Sequence, residues 1–214
     1  MNHIIIKKGH DIRIAGVPTQ EVTSVSDSET VSISPKTFRG VKPKLLVNEG
    51  DTVQIGSPLF FDKTKPSVKW ASPANGTVKT IQFGARRIIE KIEIKVGGSE
   101  SIQGQVFTSE QLTSANRTTI LNRILEANLF PLIRQRPFNK VANPKDSPRD
   151  IFISAVNTAP LSVDLDPVLE SEKAAFQAGV TALSKLTDGS VVVTSKKAME
   201  LQHAEVQTIS GPHP

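Results

Sequence analysis

The side chains best suited to chemistry in this chain are paired arginines. Arg86 and Arg87 follow Gly84-Ala85, a turn just ahead of the apolar run that opens at Ile88. Two neighbouring guanidiniums on a rigid turn can grip carboxylates through charge-assisted hydrogen bonds, so they form a candidate docking point for a partner. Arg134 and Arg136, just before Pro137-Phe138, offer the same chemistry. At both places solvated turn residues are the competing reading. The loop Asn157-Thr158-Ala159-Pro160-Leu161 follows the carboxyl end of the apolar run 151–156. Ligands of α/β sheets bind at that edge, which makes Asn157, Thr158 and Pro160 candidate ligand residues; a plain strand-to-helix connection is the alternative. His3, His10, His203 and His213 share no metal-ligand spacing and read as surface or structural residues. No dinucleotide fingerprint follows a predicted strand, and there is no phosphate loop and no nucleophile elbow. No catalytic, cofactor-binding or metal residues are therefore expected.

Composition narrows the classes further. The 214 residues suffice for one large domain or two smaller ones, and 37% hydrophobic with 22% charged residues is an ordinary globular balance. With no cysteine, disulfides, thiolate nucleophiles and Cys-ligated zinc or iron–sulfur clusters are excluded. No run of about 18 apolar residues exists and no signal-peptide core opens the chain, so neither a membrane span nor export is expected. The net charge of +5 is uneven: residues 1–97 hold 15 Lys and Arg against 9 Asp and Glu, residues 98–214 hold 11 against 12. A basic first half could meet nucleic acid, an anionic membrane or an acidic protein. Nucleic-acid binding calls for aromatics interleaved with the basic residues, and this half has Phe and one Trp but no Tyr; a solvated basic face is the competing reading, and no nucleic-acid partner is expected.

The elements that must carry these groups are first strands, then helices. Residues 3–7, 30–33, 44–47, 77–81 and 88–96 read as strands, the last with apolar Ile92, Ile94 and Val96 alternating with charges. Glu49-Gly50-Asp51 and Gly56-Ser57-Pro58 are tight turns: Asp accepts from nearby backbone, Gly takes positive φ, and Pro fixes its own. Gly97-Gly98 ends this first domain, residues 1–97. Residues 98–149 read as a helical connector, with Ser114 as N-cap and Ile120, Leu121, Ile124 and Leu125 as one stripe, closing in a Pro-rich linker. In residues 150–214, a buried strand (151–156), a helix from Asp166-Pro167 to about Leu186 and a second strand (190–194) predict a parallel βαβ unit. A short helix at 196–201 and a third strand at 205–209 would follow. The fold class is thus two-part: a β module followed by α/β.

The spacing V-x-x-G-D-x-V-x-x-G-x-x-L from Val47 to Leu59, with Pro73-Ala74-Asn75-Gly76-Thr77-Val78 downstream, resembles the biotinyl/lipoyl-carrier type of barrel-sandwich hybrid. In such carriers a lysine on a hairpin tip is modified, and Lys65 lies at about that place. Its context is Thr64-Lys65-Pro66 rather than the Asp-Lys-Ala or Met-Lys-Met of carriers, so an unmodified relative is expected.

Over its whole length the chain also resembles the A subunits of the sodium-translocating NADH:quinone reductases of bacterial membranes. The resemblance rests on Ile4-Ile5-Ile6-Lys7-Lys8-Gly9, Ile14-Ala15-Gly16-Val17-Pro18, Pro43-Lys44, the Val47–Phe60 and Ser72–Val78 stretches, and Gly84-Ala85-Arg86-Arg87. It continues through Arg136-Pro137-Phe138, Pro148-Arg149-Asp150-Ile151-Phe152-Ile153, Gly189-Ser190-Val191 and Gly211-Pro212-His213-Pro214. This implies a peripheral subunit on the cytoplasmic face of the bacterial inner membrane, reaching the membrane only through the pump's other subunits. It also implies an α/β domain similar to the flavoprotein subunit of respiratory complex I. Flavins, the iron–sulfur centre and NADH would sit on partner subunits, with no cofactor on this chain and quinone as a ligand of the full-length subunit. Family members run on for about as long again, so residues 150–214 would begin a longer α/β domain. A C subunit of the ferredoxin-linked electron-transport complex, which shares the barrel-sandwich start, is the alternative relative.

Overall fold

The computed structural model describes residues 2–213 except 18, 20 and 22; Pro18 and Pro214 of the quoted stretches lie outside the described residues. The chain forms two compact units. One comprises residues 25–106 and 121–146, the other residues 1–24, 107–120 and 147–214. The first strand, β1 (Asn2–Ile5), belongs to the second of these.

The first unit is the barrel-sandwich. Strands β2 (Thr30–Ile33), β3 (Pro43–Leu45), β4 (Thr52–Val53), β5 (Pro58–Asp62), β6 (Lys65–Ala71), β7 (Gly76–Phe83) and β8 (Ile89–Val96) make two antiparallel sheets, ordered β2-β8-β7-β4 and β3-β5-β6. Both sheets feed one core, in which Leu59, Phe60, Val68, Ile92 and Ile94 are fully buried. The period-two pattern of β8 puts those isoleucines inside and leaves Lys91, Glu93 and Lys95 outside, as alternation requires. The Phe60 and Trp70 rings stack at 4.8 Å, and Phe38 meets Trp70 edge-on at 5.2 Å.

The turns close by local chemistry. Asp51 Oδ2 accepts from Asn48 N (2.7 Å), Gly50 has φ 92°, and the turn is tied to β7 by Gly50 N to Val78 O (2.8 Å) and Val78 N to Asp51 O (2.9 Å). Asn75 Oδ1 accepts from Ile55 N at 2.8 Å. Gly76 has φ 144°, and a Cβ there would lie 1.9 Å from the Lys95 carbonyl oxygen, so only glycine lets β7 start against β8.

Residues 98–149 are not a separate helical connector. The stretch 121–146 belongs to the barrel unit, burying Phe130 and Val141 in its core with Leu121, Ile124 and Leu125 packed alongside. The expected linker carries a short antiparallel pair, β9 (Arg134–Gln135) and β10 (Lys140–Val141). Ser114 is not the cap of a long helix but the last residue of α1 (Ser109–Ser114). Thr108 and Gln111 cap that helix reciprocally, at 3.2 and 3.0 Å. Asn116 Oδ1, accepting from Thr119 N at 2.9 Å, starts α2 (Arg117–Glu126).

The second unit holds an all-parallel sheet of β1, β11 (Ile151–Ala155), β12 (Val191–Ser195) and β13 (Glu205–Ser210), in the order β1-β13-β12-β11. β1 pairs with β13, Ile4 opposite Ile209, so residues 2–5 are not part of the barrel. Helices α3 (Asp166–Ser171) and α4 (Lys173–Ser184) replace the single expected helix, with a break at Glu172 (φ −113°, ψ 24°). Val180 and Phe176 of α4 join Ala155, Val191 and Val193 in the core. β11 is an edge strand: Phe152 is 68% exposed and Ser154 is exposed, so it is not buried on both faces. Residues 196–201 form no helix; Lys197 instead pairs with Asp166 at 2.8 Å.

The barrel can be tested at two residues. Replacing Gly76 with Ala should cost about 3 kcal/mol, the sum of a left-handed φ and a backbone clash. Urea unfolding followed by fluorescence of Trp70, the only tryptophan, measures it; an unchanged midpoint contradicts the close approach. At Glu93, hydrogen bonds from Lys79 (2.9 Å) and Lys91 (2.8 Å) pull the carboxyl from 4.5 down to about 2. A folded-state pKa below the unfolded one contributes stability that is present above pH 4.5 and lost as pH falls toward 2. Glu93→Gln should therefore lower the melting temperature at neutral pH, and the gap to the parent should close as pH falls through that window.

Candidate functional site

The barrel unit carries an open cleft of two adjoining depressions, about 240 and 410 Å³, which share Val41, Pro43, Ile88 and Ile89 as an apolar floor. Ile88 is 50% exposed there. The rim is basic. Lys36 and Arg39 come from the segment after β2, Lys42 precedes β3, Lys63 sits on the β5–β6 turn, and Arg87 comes from the β7–β8 turn. Among the described residues lining the two depressions none is acidic; Lys36 is paired with the neighbouring Glu90. Four rim cations thus face a cleft without a countercharge on its walls, a field that draws in anionic groups.

The predicted arginines fall unevenly around it. Arg87 lines the larger depression, with Arg86 beside it on the turn. Arg134 lines neither, but its guanidinium lies 5.0 Å from the centroid of Phe38, which lines the smaller one. It completes a run of ring contacts through Phe60, Trp70 and Phe38 from core to surface, stacked at the first step and edge-on at the second. Arg136 is exposed on the stretch between β9 and β10 and lines neither depression. Sequence reading missed Lys36, Arg39, Lys42 and Lys63, because they come from separate segments that only the two sheets bring together.

Lys65 opens β6 directly after the β5–β6 turn, opposite Asp62. Its ammonium donates to the Val141 and Ala142 carbonyls at 3.2 and 3.3 Å, and Pro66 follows within β6. A lysine held in this way is not a free arm for a carried cofactor.

In the second unit, the four parallel strands all end at one edge. There the 157–161 loop meets the Gly211-Pro212-His213 segment: Thr158 Oγ1 lies 2.7 Å from His213 Nδ1. His213 N donates to Asp11 Oδ1 (2.9 Å), and His10 N donates to the His213 carbonyl (2.8 Å). Asn157 Oδ1 accepts from Ala159 N at 3.0 Å, an Asx-type turn that occupies its side chain. Sequence reading marked both segments, but only the parallel topology joins them. Of the other histidines, His3 bridges Thr208 and Ser210 across β1 and β13, while His203 is an exposed turn residue at φ 61°.

Thr158→Val keeps the shape and removes the hydroxyl. It should cost about 1 kcal/mol and speed amide exchange in residues 157–162 and 211–213 without affecting α4. Hydrogen-exchange mass spectrometry reads this directly, and unaltered protection in both segments contradicts a structural role for that bond.

Residues 4–97 match the family model described as the NqrA N-terminal barrel-sandwich hybrid domain, and residues 115–214 match the NqrA second alpha/beta domain. Among curated relatives, the A subunit of the Na(+)-translocating NADH-quinone reductase of Yersinia pseudotuberculosis serotype O:1b is 37% identical over 99% of this chain and 48% of its own length. The proteins of the same name from Klebsiella pneumoniae (strain 342) and Pseudomonas aeruginosa are 36% and 32% identical over the same shares. The chain thus spans about half the length of the curated relatives it matches.

Proposed function

This chain belongs to the NqrA family, and from that we propose that it works as part of the NqrA protein of a sodium-translocating NADH:quinone reductase, which couples NADH oxidation and quinone reduction to sodium export. The observation that carries this is the identity to named A subunits along nearly the whole chain, with both domain models in order. In this reading the protein is peripheral, on the cytoplasmic face of the membrane, and is held there by the other subunits. That agrees with the described helices, none of which is long and apolar enough to cross a membrane. Flavins, iron–sulfur centre and NADH would sit on partners; this chain, without cysteine, offers no thiolate to a cluster.

The roles then divide between the units. The basic cleft, with Arg86 and Arg87 at its edge and Arg134 behind Phe38, docks a partner subunit through carboxylates, and Arg136, outside the cleft, adds a further exposed guanidinium to that surface. The sheet edge at Asn157, Thr158 and Pro160 serves the quinone in the full-length protein. If Thr158 donates to His213 Nδ1, the imidazole carries its proton on Nε2, and that N–H is the donor a quinone carbonyl would accept.

The test is sodium-stimulated NADH:quinone reductase activity in membranes of the source bacterium, with the gene deleted and then restored. The sodium-stimulated part should vanish on deletion and return on complementation. Activity that survives deletion overturns the reading.

A further inference from the structure

The β7–β8 turn is built against its own backbone preference. Arg86 and Arg87 both occupy the left-handed region, at φ 57° and 56°. Asn and Gly adopt that region readily, and Asn-Gly is the favoured pair for a two-residue turn of this hand. Residues with a full side chain persist there only when the surroundings hold them, and such outliers gather at functional sites. Here the hydrogen bond from Gly84 N to Ile88 O (2.8 Å) closes the turn whatever the two side chains are. The closing hydrogen bond therefore does not call for arginine at either position. What the arginines do supply is charge at the mouth of the larger depression.

We propose that the cleft over Val41, Pro43 and Ile88 is a preformed receptor for a protruding acidic segment of a partner protein, with apolar side chains on the floor and carboxylates on Arg39, Lys42, Lys63 and Arg87. The inference rests on the reading of the barrel unit as a docking module and adds the chemistry of what docks. Charge complementarity selects the sign, since the lining holds no acidic side chain among the described residues. Shape selects the class. A chain segment can lay apolar side chains on Ile88 and carboxylates on the flanking cations at once, and the vesicle comparison below separates it from an anionic membrane. A single-stranded nucleic acid would need exposed ring faces to stack on, and Phe38, the aromatic among the lining residues, is already engaged by Trp70 and Arg134. A lone small anion would leave the apolar floor wet.

The strained turn supplies a discriminating test. Arg86→Asn with Arg87→Gly should raise the melting temperature, because it relieves the left-handed strain, and yet weaken binding. A variant that merely misfolds does the opposite on the first count. The probe is a short, end-blocked, fluorescein-labelled peptide of alternating glutamate and leucine, titrated with the whole chain by anisotropy. A lysine–leucine peptide and vesicles of mixed phosphatidylglycerol and phosphatidylcholine serve as comparisons. The glutamate peptide should bind, weaken with salt, and lose about tenfold in affinity in both the Asn-Gly variant and Arg39→Glu/Arg87→Glu. Three results overturn the proposal: no binding of the glutamate peptide, binding untouched by both variants, or vesicle binding lost in those variants while peptide binding is not. Because the assay uses the isolated chain, peptide binding without sodium-stimulated activity sinks only the pump reading, and activity without peptide binding sinks only this one.

Discussion

The barrel depends on one contact in which nothing but a hydrogen fits. At Gly76 the backbone of β7 passes so close to the Lys95 carbonyl that a Cβ would sit 1.9 Å from it. That approach sets Gly76 opposite Val96 and Val78 opposite Ile94, before a bulge after Val78 brings Ile81 opposite Ile92. In that register Val78 and Ile94 both point inward, since a slip of one residue would turn each of them to solvent. The neighbouring polar groups serve the same corner: Asn75 satisfies Ile55 N and Gly97 N, and Glu49 accepts from Ile81 N at 2.6 Å. Burying backbone at a sharp corner is tolerable only when its donors are met in this way.

From that corner the consequences run outward to the surface. A defined core lets Phe60 and Trp70 stack, Trp70 holds the edge of Phe38, and Phe38 seats the guanidinium of Arg134. The same two sheets bring the segment after β2, the β5–β6 turn and the β7–β8 turn to one rim. The basic cleft is thus a by-product of sheet closure rather than of any local sequence cluster.

That explains what could be read from the sequence. Turns were legible because their chemistry is local: Glu49-Gly50-Asp51 folds as its residue types dictate, and residues 30–33 and β8 follow their alternation. The family resemblance was legible too, from motifs spread over both domains. The pairing of β1 with β13 was not, since about two hundred residues separate the partners and residues 3–7 suit any sheet edge. The Thr108–Gln111 capping box was present but lay before the apolar stripe that drew attention to Ser114. At the candidate sites, arginine identity was visible, whereas Lys63 in the cleft and the Thr158–His213 bond needed the topology.

Lys65 bears on the kind of work this barrel does. A carrier barrel needs its lysine free, because the attached group must swing between distant sites. Here the residues that follow α2 enter the barrel core through Phe130 and Val141, and the Val141 and Ala142 carbonyls take the Lys65 ammonium. Withdrawing that ammonium would leave two carbonyls short of a donor and cost of the order of a kcal/mol for each. The same insertion delivers Arg134 to Phe38. One stretch of chain therefore pins the position where a cofactor would swing and completes the ring contacts beside the basic cleft. In this barrel the lysine at the carrier position is thus part of the packing between the β5–β6 hairpin and the stretch after α2.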